Sequence, residues 1–303
     1  MTPAQFAKLV LLAAIWGASF LFMRVAVPQL GPVWLLEIRL ISAALFLLLV
    51  AQWFREPLRV QRYWKHYLFL GTFNTAIPFA TMAWAASTLP AGVLSVINAT
   101  APLCGLVVGF VWRGKPVTVK ALLGLCCGMA GVATIAGLGR GDIGPEAVTA
   151  VAICMLAPIC YGIASSYAEF AERVPAFANA HGSVWASVVL IVPLMGVAPA
   201  PVTWPASAVA AGVVLGVVCS GVAYLLYFHL VSTVGAASAL TVGYLIPLFG
   251  VTWGWLFLGE PIGWHTIGGA ALVLTGTALV TGLDPRSLLR RRPPAAESAS
   301  GQA

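Results

Sequence analysis

Apolar runs of about 20 residues, each closed by a proline–glycine or charged cluster, recur along the whole chain; a run of that length, coiled as a helix, matches the hydrocarbon thickness of a bilayer. They fall at 8–27, 33–53, 66–88, 91–112, 118–137, 149–169, 180–199, 206–231, 235–258 and 262–282. A segment in lipid must satisfy its own backbone hydrogen bonds, so only helices or a closed β-barrel can span. Barrel strands alternate in polarity over about ten residues, whereas these runs are continuously apolar. The expectation is an all-α polytopic membrane protein of ten transmembrane helices. Composition excludes a soluble reading of 303 residues: 60% are hydrophobic, 8% charged, and mean hydropathy is +0.96. A water-facing surface needs about a quarter charged residues.

The net charge of +7 is spread in short clusters between the runs, which is the pattern of topology signals and not of a nucleic-acid face. With the N-terminus inside, Lys8, Arg55, Arg59, Arg62, Lys65, Arg113, Lys115, Lys120, Arg173, Arg286, Arg290, Arg291 and Arg292 are cytoplasmic. Arg140 alone falls in an outside loop, and Arg24 and Arg39 lie within helices. Both termini are therefore expected in the cytoplasm, with the tail 284–303 disordered and lying against anionic headgroups. The first run is spanning length, so no cleavable signal peptide is read from it. The six cysteines, Cys104, Cys126, Cys127, Cys154, Cys160 and Cys219, sit inside apolar runs without a CxxC pair. They read as apolar filler, and no metal or cofactor is expected.

Sliding the chain against itself by 145 residues aligns 70–137 with 215–282 without a gap. Identities include Gly71/Gly216, Pro102/Pro247, Gly105/Gly250, Gly114/Gly259, Pro116/Pro261, Gly124/Gly269 and Gly131/Gly276. Prolines and glycines mark kinks and close helix packing, not mere greasiness. The same offset pairs Trp16-Gly17 with Tyr161-Gly162. Five helices per repeat is an odd number, so the two repeats are expected to insert with inverted topology, the architecture of secondary transporters. The expected division is a first repeat over 1–138, an extracytoplasmic linker over 139–148, a second repeat over 149–283, and the tail.

Several motifs then stand in family order. Trp16-Gly17-Ala18-Ser19-Phe20, Arg39, Ala101-Pro102-Leu103, Ile246-Pro247-Leu248 and Leu258-Gly259-Glu260-Pro261 resemble the EamA family of the drug/metabolite transporter superfamily, as two tandem repeats over 8–282. The resemblance implies a ten-helix inner-membrane carrier of small metabolites, often amino acids or related compounds, and often an exporter. A multidrug or toxic-compound exporter of the same fold is the alternative. One departure is that the family's acidic residue before the proline survives as Glu260, while the first repeat carries Lys115. Glu260 reads as an interfacial topology residue.

Polar groups inside spans are costly and therefore informative. Arg24, Glu37 and Arg39 are expected to form an ion-paired cluster, either a clamp between helices 1 and 2 or a site for a substrate carboxylate. Trp16 and Tyr161 lie near mid-membrane at equivalent places and are expected across a shared cavity. Ser19, Asn74, Asn98, Ser165, Tyr224 and Tyr244 complete the candidate binding or gating set, and Pro102 and Pro247 are the expected kinks. Each polar residue alone is equally served by an interhelical hydrogen bond. No Asp or Glu lies at a helix centre, which favours facilitated diffusion or exchange over a carboxylate proton relay; His229 is left as a possible proton coupler.

Gly139-Arg140-Gly141-Asp142 matches a G-x-G-D aspartyl-protease string, but that chemistry needs two carboxylates sharing a proton. The two aspartates, Asp142 and Asp284, both fall outside spans. No HExxH metal motif and no histidine near Ser19 supports an enzyme, which stays a distant alternative. A channel would want a ring of charges or exposed carbonyls. The expected partners are a small-molecule substrate and the bilayer, without nucleic acid, and a monomer suffices.

Overall fold

The computed structural model describes residues 1–114, 116–135 and 145–281. Lys115, the G-x-G-D string, most of the expected linker and the basic tail lie outside the described residues. Among those described, all regular structure is helical. Helix α1 (Pro3–Leu30) opens on a capping box: Thr2 Oγ1 accepts from the Gln5 amide, and Gln5 Oε1 accepts from the Thr2 amide. It ends at Gly31, whose φ of 73° sends the chain into α2 (Pro32–Phe54). Helix α3 (Val60–Leu70), a π-helical turn (Gly71–Ala76) and α4 (Ile77–Ala85) follow one another without a break. Helices α5 (Ala91–Asn98) and α6 (Ala101–Arg113) share one apolar stretch, and α7 (Val119–Ile135) follows. Then come α8 (Pro145–Cys154), α9 (Leu156–Ala168) and α10 (Ala176–Met195). Helix α11 (Ala206–Gly216), a second π-helical turn (Val217–Val222) and α12 (Ala223–Val234) are again continuous. The chain closes with α13 (Ala236–Ala239), α14 (Val242–Leu258) and α15 (Trp264–Thr281).

Seven helical stretches are long and apolar enough to cross a membrane, and α7 and α14 are shorter apolar helices. Large apolar side chains such as Leu49, Val111 and Trp264 are exposed, as a lipid-solvated surface allows. The protein is a polytopic membrane protein. The third helix begins at Val60 rather than at 66: Arg62, Lys65 and His66 hide it from hydropathy, while Tyr63 and Tyr67 bury its other face. The expected run 235–258 is divided between α13 and α14 around Leu240-Thr241.

The two π-helical turns have a visible cause. A Cβ on Gly71 would stand 2.8 Å from the Ser183 carbonyl of α10, and Ser187 of α10 donates its hydroxyl to the Gly71 carbonyl at 2.9 Å. A side chain that takes a carbonyl out of the helical ladder leaves the chain one residue over-long there. In the second turn, Ser220 plays the part from within, donating to the Leu215 carbonyl at 3.1 Å.

Packing repeats itself at the 145-residue offset. Helix α1 lies against α12 and α14, and α9 lies against α4 and α6. A Cβ on Gly17 would be 2.6 Å from Phe249 Cβ and 3.0 Å from the Gly250 nitrogen; one on Gly162 would be 3.0 Å from the Cys104 carbonyl carbon and the Gly105 nitrogen. Helices α7 and α15 run antiparallel. A Cβ on Gly124 would lie 2.6 Å from the Gly276 carbonyl oxygen, and one on Gly131 would lie 2.7 Å from that of Gly269. Only glycine lets these backbones approach so closely.

The prolines behave differently from one another. Pro247 sits inside α14, a helix-interior proline. Pro102 instead opens α6 after a break at Ala99-Thr100, because a proline without an N–H is best placed in a first turn. The Ala99 carbonyl freed by the break accepts the hydroxyl of Thr277 from α15 at 3.1 Å.

Candidate functional site

Where these seams meet, a cavity of about 400 Å³ lies in the middle of the bundle. Trp16, Ser19, Asn74, Asn98, Tyr161 and Tyr224 from the sequence-derived set all line it, together with Arg39. Trp16 and Tyr161 thus share one cavity, and Trp16 leans on Tyr227 with ring centroids 5.6 Å apart. The π-helical turns present Asn74 and Thr75 on one side and Cys219 on the other. Ser19 and Thr75 are buried polar residues at the cavity wall, which Cys219 and Tyr224 also line. Asn98 reaches the cavity from the last residue of α5, where the helix breaks before Pro102.

Two candidates fall outside. Ser165 is exposed, and its hydroxyl donates back to the Gly162 carbonyl at 3.0 Å. Tyr244 points away, its phenol 2.5 Å from Thr281 Oγ1 of α15. His229 is also excluded: it is exposed and takes Lys8 Nζ at 2.8 Å.

The expected charge cluster does not form. Residues two apart on a helix point to nearly opposite sides, so Glu37 and Arg39 part company. Glu37 is 1% exposed, and among the described residues neither carboxylate oxygen has a hydrogen-bond partner. Arg24 bonds instead to Glu260, Nε to Oε1 at 3.3 Å, and its Nη1 donates to the Ala86 carbonyl at 2.7 Å. Glu260 is therefore more than an interfacial topology residue. Its two oxygens also accept the first amide of α5, Ala91, at 3.0 and 2.9 Å. A carboxylate there caps the helix and meets its positive end.

Arg39 is 6% exposed. Its guanidinium carbon sits 3.6 Å from the Phe79 ring centroid, and Nε donates to Ser220 Oγ at 3.1 Å. No carboxylate oxygen among the described residues lies within ion-pair distance of it. Among the residues lining the cavity, Arg39 carries the one full charge.

Phe79, Thr75, Met82, Cys219 and Tyr227 also line the cavity, and residue-by-residue reading passed over all five. The signal was available. The offset of 145 that pairs Trp16 with Tyr161 also pairs Phe79 with Tyr224, Met82 with Tyr227, and Asn74 and Thr75 with Cys219 and Ser220. Asn179 and Ser183, contributed by α10, had no such signal.

The arrangement suits reversible binding: aromatic faces, amide groups and one cation around a central cavity, with no group of described His, Cys, Asp or Glu able to hold a metal. Comparison with known proteins agrees in kind. An uncharacterized transporter, YvbV, of Bacillus subtilis (strain 168) is 26% identical over 278 residues, covering 90% of each chain. A probable terminal-alkyne amino-acid exporter of Streptantibioticus cattleyicolor is 28% identical over 298 residues, covering 94% of each. A solved crystal structure at 18% identity overlays with a TM-score of 0.64 over 92% of this chain and 97% of the other, a likeness of fold. These relatives point to transport rather than catalysis. The EamA-like transporter family matches residues 6–137 and 148–282, nearly the whole chain in two tandem copies, and the protein belongs to that family.

Proposed function

We propose that the protein is a secondary carrier of ten membrane-crossing helices, built as two inverted five-helix repeats, that moves a small organic metabolite outward across the inner membrane by alternating access. The observation that carries this reading is the central cavity, lined by equivalent side chains of both repeats and by one unpaired cation. Support for ten crossings comes from adding α7, α14 and the continuous Val60–Ala85 stretch to the seven long apolar helices. Support for inversion comes from α7 and α15, equivalent by offset yet antiparallel in their glycine contacts. The basic residues argue for cytoplasmic termini. The likeness to an amino-acid exporter favours an amino acid or related compound as cargo and an outward direction.

Ion pairs give the mechanism its two gates. Arg24–Glu260 joins the ends of α1 and α14, and Arg113–Glu169 joins the ends of α6 and α9. Breaking one pair while the other holds exposes the cavity to one side at a time, with the Gly17 and Gly162 seams as pivots. Trp16, Asn74, Asn98, Tyr161 and Tyr224 bind the cargo in turn, and monomers suffice.

The direct test is counterflow in proteoliposomes with a panel of labelled amino acids and organic acids. Saturable exchange is expected for at least one compound; linear, unsaturable flux contradicts a carrier. A reporter fused after Asp284 is expected to be active in the cytoplasm, and periplasmic activity overturns the orientation.

A further inference from the structure

We infer that the cargo is a carboxylate joined to an apolar body, and that Arg39 is the residue that takes the carboxylate; this rests on the carrier reading above. A guanidinium taken out of water is costly unless its charge and its donors are met. Here the charge is not met: no carboxylate among the described residues pairs with Arg39. The donors are met in part. Nε is spent on Ser220 and one face of the group rests on Phe79, which fixes the plane of the fork. Its two terminal nitrogens donate to no described residue, and the space beside Arg39 is the cavity.

A fixed, planar fork with two free donors matches the two oxygens of a carboxylate, a geometry a lysine cannot reproduce. An anion bound there removes the uncompensated charge, whereas a simple amine would place a second cation in the same cavity. Ser220 sits in the second π-helical turn and holds Arg39 through a hydroxyl that also donates to the Leu215 carbonyl. The site is thus built by the same local distortion that presents Cys219. Aromatic faces make up a large part of the remaining wall, with Trp16 and Tyr227 in contact, beside the amides of Asn74, Asn98 and Asn179, and they suit an apolar body.

The test uses three probes with one phenyl body: phenylalanine, 3-phenylpropionate and phenethylamine, added to the purified full-length protein while its thermal stabilisation is followed. Both carboxylates are expected to bind at least about tenfold more tightly than phenethylamine, a charge-assisted pair being worth that much in a shielded site. Arg39→Gln is expected to abolish that preference, and Arg39→Lys to keep its order with weaker binding. The wild-type series decides alone if Arg39→Gln does not fold. Phenethylamine binding as tightly as 3-phenylpropionate overturns the inference, as does no binding of either carboxylate at millimolar concentration. A folded Arg39→Gln protein that keeps the full carboxylate preference overturns it too. Failure of the carrier reading is distinguishable: carboxylates then bind through Arg39 while counterflow stays unsaturable. Saturable counterflow of neutral or cationic compounds that carboxylates do not inhibit leaves the carrier and removes the anion site.

Discussion

The Arg24–Glu260 pair and the Arg113–Glu169 pair join equivalent helix ends in the two repeats, with the charges in opposite order. Adding 145 to Arg24 gives Glu169, and subtracting it from Glu260 gives Lys115, two residues after Arg113. Each pair joins the C-terminal end of one helix to that of its packed neighbour. Their surroundings differ. The Arg24 and Glu260 side chains are 27% and 13% exposed, and the pair also holds the Ala86 carbonyl and the Ala91 amide. Arg113 and Glu169 are 31% and 46% exposed. The same two helix ends are joined by an ion pair in either charge order, so the contact does not depend on which helix carries the acid. The difference in burial means that water and salt weaken the Arg113–Glu169 pair more than the Arg24–Glu260 pair.

Neutralising one acid at each end separates the two pairs. Glu260→Gln removes the ion pair and weakens the cap on α5, a loss of about 1.5–3 kcal/mol for hydrogen bonds to a charged group. At about 2–4 °C per kcal/mol for a large chain, the melting temperature should fall by roughly 5 °C. Glu169→Gln, at a solvent-screened pair, should lower it by no more than about 2 °C. Equal falls, read by differential scanning fluorimetry, would mean the two ends are energetically alike.

Exchanging the charges separates the ion pair from the cap. Because α9 and α6 already use the reversed order, Arg24→Glu combined with Glu260→Arg should rebuild an ion pair between α1 and α14. It cannot rebuild the cap, since an arginine does not accept the Ala91 amide. The double variant should therefore recover only about half of the stability lost in Glu260→Gln, the remainder being the cap of about 1 kcal/mol. Full recovery would remove the cap from the account.

The smallest expected effect is at Glu37. It pairs with neither Arg24 nor Arg39, and its buried oxygens lack described partners. Glu37→Gln keeps the shape and removes an ionisable group, so the melting temperature should stay within about 1 °C or rise. A drop comparable to that of Glu260→Gln would mean that Glu37 does belong to the Arg24 end.

Much of the fold was legible because lipid imposes a length and a polarity on each crossing, and those survive in hydropathy. The repeat was legible because close-packed glycines such as Gly124 and Gly269 are needed twice. The pairing of charges was not read correctly, since sequence proximity favoured Glu37 over a partner 236 positions away. Helical periodicity already set Glu37 and Arg39 on different faces, and the offset already matched the positions of Arg24 and Glu260 to oppositely charged residues. Phe79 was recoverable the same way, from Tyr224. The π-helical turns were not recoverable: the insertion of Ser187 from α10 at the Gly71 carbonyl is a tertiary event with no local signature. Ser165 and Tyr244 were misplaced because polarity within a span does not tell which face of the helix a residue occupies.

If cargo binds in the cavity between the repeats, Trp16 is the residue that feels it first. Trp16 borders an existing space and is half-buried, so Trp16→Leu should shift the melting temperature by no more than about 3 °C. A central aromatic contact is worth about 2 kcal/mol or more of binding, so counterflow at sub-saturating substrate should fall at least about tenfold. Counterflow unchanged beside a large drop in melting temperature would show that Trp16 only packs the bundle, and would contradict a cargo site in this cavity.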